Sequence, residues 1–178
     1  RDRGDTLETV VSIGNVAPYV LNNEMNIFRN VSSSVNILLF ENQTVQITCN
    51  GTVYDDNGYN DIAGVNASLF DAASASAGAV DFDNLDNNTK YINHSCTLFT
   101  GSGTSRGAEC QFTVQYYANN ATWTCNMSVY DSSNELNSNR SNATIMQLIA
   151  LNVPAEMSFG SGNPGDTLTN RTNITNTG

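Results

Sequence analysis

One eight-residue pattern occurs twice in this chain, and both copies alternate apolar and polar side chains. Thr48-Cys49-Asn50-Gly51-Thr52-Val53-Tyr54-Asp55 and Thr124-Cys125-Asn126-Met127-Ser128-Val129-Tyr130-Asp131 both read T-C-N-x-[ST]-V-Y-D. A two-residue period is that of a strand with one face buried and one wet. It predicts an inward set of Val45, Ile47, Cys49 and Val53 around the first copy, and of Trp123, Cys125, Met127 and Val129 around the second. The same alternation turns Val65, Ala67 and Leu69 inward against Asn66 and Ser68, and turns Cys110, Phe112, Val114 and Tyr116 inward over residues 110–117. Further strands are expected at residues 35–40 and 144–151, and weaker ones at 20–28 and 79–82. Turn-rich clusters at 55–61, 83–88, 101–107 and 132–141 separate them. A helical turn is expected only at 72–79. Seven or so short strands at this spacing predict an all-β sandwich.

Composition narrows the function classes. Charged residues are 13% of the 178, about half the usual share. Their place is taken by 27 Asn, 18 Thr and 17 Ser. Glu and Lys, the usual surface residues of helical bundles, are scarce. Nucleic-acid binding needs Lys and Arg to displace phosphate counterions, whereas the chain carries seven in all and a net charge of −10. No apolar run approaches the ~20 residues of a membrane span.

Twelve Asn-x-Ser/Thr sequons begin at Asn30, Asn42, Asn50, Asn66, Asn87, Asn93, Asn120, Asn126, Asn139, Asn142, Asn170 and Asn173. With about one residue in five a Ser or Thr, chance supplies only about five. N-linked glycans demand exposed positions, and the alternation predicts that Asn50, Asn66 and Asn126 all face solvent. The expectation is an N-glycosylated extracellular or cell-surface chain. Four cysteines in such a chain point to an oxidising compartment and two disulfides, for which three connectivities are open. Zinc is disfavoured, because there is no C-x-x-C spacing and His94 is the single histidine.

The inward cysteine of each octapeptide resembles the pair in immunoglobulin-like sandwiches, where two strands of opposite sheets run the same way and carry one cysteine each. The resemblance implies disulfides Cys49–Cys125 and Cys96–Cys110. Trp123 shares the inward face of Cys125, whereas that family carries its core Trp on the third strand, which indicates a looser Ig-like sandwich. With Cys49 bonded to Cys125, Asp55 and Asp131 emerge at one end at similar height. Asp55-Asp56-Asn57-Gly58-Tyr59-Asn60-Asp61 partly resembles calcium loops of the D-x-[DN]-x-[DN]-G kind, in which oxygen ligands surround a sharp glycine turn. The expected calcium ligands are Asp55, Asp56, Asn57, Asp61 and Asp131. The competing expectation is a plain Asn-Gly turn facing water. Asp81, Asp83 and Asp86 read as a solvated loop.

Both ends carry an echo. An apolar strand at residues 6–13 precedes Asn15-Val16-Ala17-Pro18, and the strand at 144–151 precedes Asn152-Val153-Pro154. The expected organisation is an N-terminal linker with a donor-type strand (1–18), an Ig-like sandwich (19–153) and the start of a second β-module or a polar tail (154–178). The surplus strand at 6–13 would pair with a neighbouring module by β-augmentation, or the chain is an excerpt of a tandem array. The absence of an initiating Met and of a signal peptide fits a processed chain or an excerpt. Gly103-Thr104-Ser105-Arg106-Gly107 matches a nucleophile elbow but lies in a polar turn. Gly160-Ser161-Gly162-Asn163-Pro164-Gly165 matches a phosphate loop but opens no helix. Ig-like strands, N-V-P junctions, the acidic loop, dense sequons and the Asn-Thr-Gly ending together resemble repeat modules of archaeal cell-surface glycoproteins. That implies a non-enzymatic structural subunit of a surface filament or array, partnered by copies of itself or adjacent modules. A carbohydrate- or protein-binding adhesin module is the alternative.

Overall fold

Alternating strands close a core between two five-stranded antiparallel sheets, with one parallel pairing. The computed structural model describes residues 14–29, 36–74 and 85–176. β1 (Tyr19–Val20), a 3-10 turn (Asn22–Glu24), β2 (Asn26–Arg29), β3 (Asn36–Ile37), β4 (Thr44–Tyr54), β5 (Ile62–Asp71), β6 (Lys90–Asn93), β7 (Thr97–Leu98), β8 (Ser105–Gln115), β9 (Ala121–Asp131) and β10 (Leu136–Ile145) follow in order. The first sheet runs β1-β4-β8-β7, with β2 also on β4, and the second runs β3-β10-β9-β5-β6. The parallel pair is β3 with β10. The molecule is an all-β sandwich, and the described residues contain no α-helix.

The inward sets meet as expected. Val45, Ile47, Cys49 and Val53 from β4 and Cys110, Phe112 and Val114 from β8 face Val65, Ala67 and Leu69 from β5 and Trp123, Cys125, Met127 and Val129 from β9, all buried. The Trp123 indole donates to the Asn119 carbonyl at 2.8 Å, so its one polar atom is satisfied. Cys49 is bonded to Cys125 across the sheets and Cys96 to Cys110. The second bond lies where the chain crosses from the edge of one sheet to the other, at the Cys96 amide bound to the Val65 carbonyl.

Several local expectations are corrected. The last strand of the sandwich is Leu136–Ile145, not 144–151, and the turn expected at 132–141 ends before it. β10 contributes only Ala143 and Ile145 to the core. Its Asn- and Ser-rich remainder is strand because every residue pairs with β9; hydrogen bonding, not apolar periodicity, makes it so. The strand expected at 20–28 is broken by the 3-10 turn at Asn22–Glu24. The turn at 101–107 is shorter, since β8 starts at Ser105. Tyr116 is half-buried rather than core.

Asn126 does not face solvent; it is 1% exposed. β9 is a central strand, and longer side chains of its neighbours roof its polar face. The Arg140 guanidinium donates to Asn126 Oδ1 at 3.2 Å and lies 6.0 Å from the Phe70 ring centre. Asn50 and Asn66 are half-buried, while Asn42, Asn87, Asn120, Asn142, Asn170 and Asn173 are exposed and Asn93 and Asn139 half-buried. Asn30, the strands expected at 6–13 and 79–82, Asp81 and Asp83 lie outside the described residues. Beyond β10, β11 (Leu151–Asn152) and β12 (Thr175–Asn176) form a two-stranded pair around an exposed, polar stretch.

Candidate metal centre at the acidic pole

Each octapeptide ends in an Asp six residues past its cysteine, and the bonded cysteines bring those two ends together. Asp55 follows β4, Asp131 closes β9, and Asp61 immediately precedes β5. One carboxylate oxygen from each of Asp55, Asp61 and Asp131 lies within 4.8 Å of the other two. The loop between Asp55 and Asp61 is built for this approach. Asp55 Oδ1 accepts the Asn57 amide at 2.7 Å, the Gly58 amide donates to the Asp55 carbonyl at 2.9 Å, and the Asp61 amide donates to the Gly58 carbonyl at 2.9 Å. Gly58 holds φ 117°, a conformation side chains oppose. The loop is tied to the neighbouring turn by Asp55 amide to Thr104 carbonyl at 2.8 Å and Tyr59 amide to Gly103 carbonyl at 3.0 Å.

The three carboxylates differ in their surroundings. Asp131 Oδ1 accepts the amides of Ser133 and Glu135 at 2.9 and 2.8 Å, and Oδ2 accepts Asn15 Nδ2 at 2.7 Å. Burial alone would raise the Asp131 pKa, but the hydrogen bonds from Asn15, Glu135 and Ser133 outweigh it and hold the carboxyl below its ordinary value. Asp61 accepts the Ser132 hydroxyl. Asp55 is fully buried and, among the described residues, its Oδ2 has no hydrogen-bond partner. Burial pushes its pKa up against the Asn57 amide, and the fields of Asp61, Asp131 and Asp56 push the same way.

The geometry thus brings together three of the five expected ligands. Asp56 is exposed and outside the cluster. Asn57 serves the entering chain instead: its Oδ1 accepts the Val16 amide at 2.7 Å and its Nδ2 donates to the Gly14 carbonyl at 3.3 Å. Sequence reasoning missed Asn15 and Asn57 as a docking pair for residues 14–16. The Asn-Val-Ala-Pro junction was the available signal, but it reads as a hinge with no partner specified.

Other expected features resolve locally. Asp86 caps a turn, with Oδ1 accepting the Asn88 amide at 2.9 Å and Oδ2 the Thr89 hydroxyl at 2.8 Å; these bonds hold its pKa down. Gly103, at φ 61°, forms the turn into β8 rather than an elbow before a helix. Of the four tyrosines expected to be open to sugar stacking, Tyr54 is stacked on Tyr19 with centroids 5.2 Å apart, Tyr59 packs over Gly101 and Tyr130 over Gly64, which leaves Tyr117, 44% exposed, as the most open. The chain matches no protein-family model and no curated protein.

Proposed function

We propose that this chain is a non-catalytic, N-glycosylated, Ig-like structural module of an extracellular filament or array, of the kind borne by archaeal cell-surface glycoproteins, joined end to end to copies of itself or to adjacent modules. One observation carries the reading: the chain enters and leaves the sandwich at opposite poles. Residues 14–16 are held at the acidic pole by Asn57 and Asp131. β10 starts there, with Leu136 opposite Tyr130, and ends with Ile145 opposite Ala121 at the far end of β9. Its 10 residues span about 33 Å. A module whose two connections point away from each other along the strands extends a rod; one with both at the same end makes a side branch. Two disulfides and twelve sequons fit an oxidising exterior.

Electron microscopy of the native material tests this, with deletion of residues 1–13 as the second arm. Rods in the intact material and folded monomers in the deletion support strand exchange between neighbours. Rods that survive the deletion defeat strand exchange and favour covalent tandem modules. Dispersed single modules at every concentration defeat the reading itself. A second reading, a carbohydrate-binding adhesin module, draws on exposed Tyr117 in edge contact with Tyr116 at 5.1 Å beside Asn119 and Asn120. Glycan-array binding lost in Tyr117→Ala, without assembly, would favour it.

A further inference from the structure

We propose that Asp55, Asp61 and Asp131 bind one hard divalent cation of the calcium class, and that its binding secures the entering segment at residues 14–16. Three acidic side chains in proximity would not carry this alone. The second observation is Asp55 Oδ2, a carboxylate oxygen on a side chain with no solvent exposure and no hydrogen-bond donor among the described residues. Buried oxygens of this kind are normally satisfied, and this one belongs to a carboxylate whose neighbours are two further carboxylates. Among the described residues, the donors that reach the three groups are the amides of Asn57, Ser133 and Glu135, the Asn15 side chain and the Ser132 hydroxyl, all uncharged. The pole therefore gathers negative charge and satisfies it only in part.

The chemistry of the donors selects the ion. An all-carboxylate cluster without His or Cys suits hard cations and not zinc or copper. Oxygens bound to one calcium at about 2.4 Å lie no more than about 4.8 Å apart, and the three carboxylates meet that limit. Magnesium, at about 2.0–2.1 Å and near-octahedral, demands a tighter set and keeps more of its water. The cation would hold Asp131 and Asp55 in place, and these are the groups beside the two anchors of the entering chain, Asn15 on Asp131 Oδ2 and Val16 on the Asn57 whose amide donates to Asp55 Oδ1. Occupation thus firms the point where the chain joins the sandwich.

The inference does not rest on end-to-end assembly, and its test reads ion binding directly. Full-length protein freed of metal is titrated with calcium chloride, then with magnesium chloride, by calorimetry and by thermal melting. The expected result is one calcium per chain with Kd at or below about 1 mM, a raised Tm, and slowed hydrogen exchange at the Val16 amide. Asp61→Asn, at a half-buried position, should bind at least about tenfold more weakly while melting like wild type in chelator. Neither heat nor Tm shift at about 10 mM calcium, or full binding retained in both Asp61→Asn and Asp55→Asn, overturns the site. Equal binding of magnesium overturns the calcium class, and unchanged Val16 exchange overturns the link to the entering segment. A failed titration leaves the microscopy standing, and failed assembly leaves the ion count standing.

Discussion

Replacing Cys49 and Cys125 together by alanine should cost this protein more than replacing Cys96 and Cys110, and the structure says by how much. The first bond spans a sequence separation of 76 and the second 14. In the chain-entropy account, a cross-link stabilises by restricting the unfolded chain, which gives about 4.5 kcal/mol for the long loop and about 3 kcal/mol for the short one. Cys49 and Cys125 are both fully buried between the sheets, whereas of the second pair Cys110 is buried and Cys96 half-buried. Losing two core sulfurs adds a packing cost of about 1 kcal/mol to the first variant, and losing one adds about 0.5 kcal/mol to the second. The double variants should therefore differ by about 2 kcal/mol, out of a total stability of about 5–15 kcal/mol. At roughly 3 °C per kcal/mol for a domain of this size, Tm should fall by about 16 °C in the first and about 10 °C in the second. Urea denaturation followed by circular dichroism measures both, and m should rise most in Cys49→Ala/Cys125→Ala because its unfolded chain expands most. If the Cys96→Ala/Cys110→Ala variant loses as much or more, loop length does not govern the stabilisation and the reasoning fails.

Asp71 offers a pH test away from the acidic pole. It is 3% exposed; burial would raise its pKa, but hydrogen bonds from Asn119, Ala73 and Ser74 outweigh burial and hold it below the ordinary 3.8. A depressed carboxyl stabilises the fold above its unfolded pKa, and the contribution is lost as pH falls through the folded one. Asp71→Asn should thus lower stability by about 2 kcal/mol at pH 7, with the gap to wild type closing on acidification through that range; a gap independent of pH would refute the assignment. Gly101→Ala should destabilise by about 2 kcal/mol or more in chemical denaturation, because its Cβ would sit 2.6 Å from the Ser105 carbonyl oxygen, which is backbone. Gly64→Ala should cost about 1 kcal/mol or less, since the nearest atom is the Tyr130 hydroxyl, at the end of a movable side chain. Glycopeptide mapping of native material should find sugar at exposed Asn42, Asn87, Asn120, Asn142, Asn170 and Asn173 and none at buried Asn126; a glycan on Asn126 would contradict the packing around β9.

Much of the sandwich was legible in the chain, because a two-residue period states which side chains share a face. Val45, Ile47 and Cys49, and Trp123, Cys125 and Met127, all lie where that period puts them. The duplicated octapeptide likewise located Asp55 and Asp131 at equal offsets from their cysteines. Periodicity states nothing about what covers the other face or which strands are neighbours. Asn126 alternates like an exposed residue and is buried, because β9 lies between β10 and β5 and Arg140 reaches across it. The polar run from Asn137 to Asn142 carries no apolar signal, and only its ladder with β9 makes it a strand. Strand register sets Cys49 beside Cys110, yet each bonds elsewhere, Cys49 across the sandwich and Cys110 to the crossover. The arrival of Asp61 beside Asp55 and Asp131, and of Asn15 on Asp131, joins residues as far as 116 positions apart. Local pattern determines the direction a side chain takes from its own strand; its surroundings depend on the pairing and packing of distant strands, which only the folded chain decides.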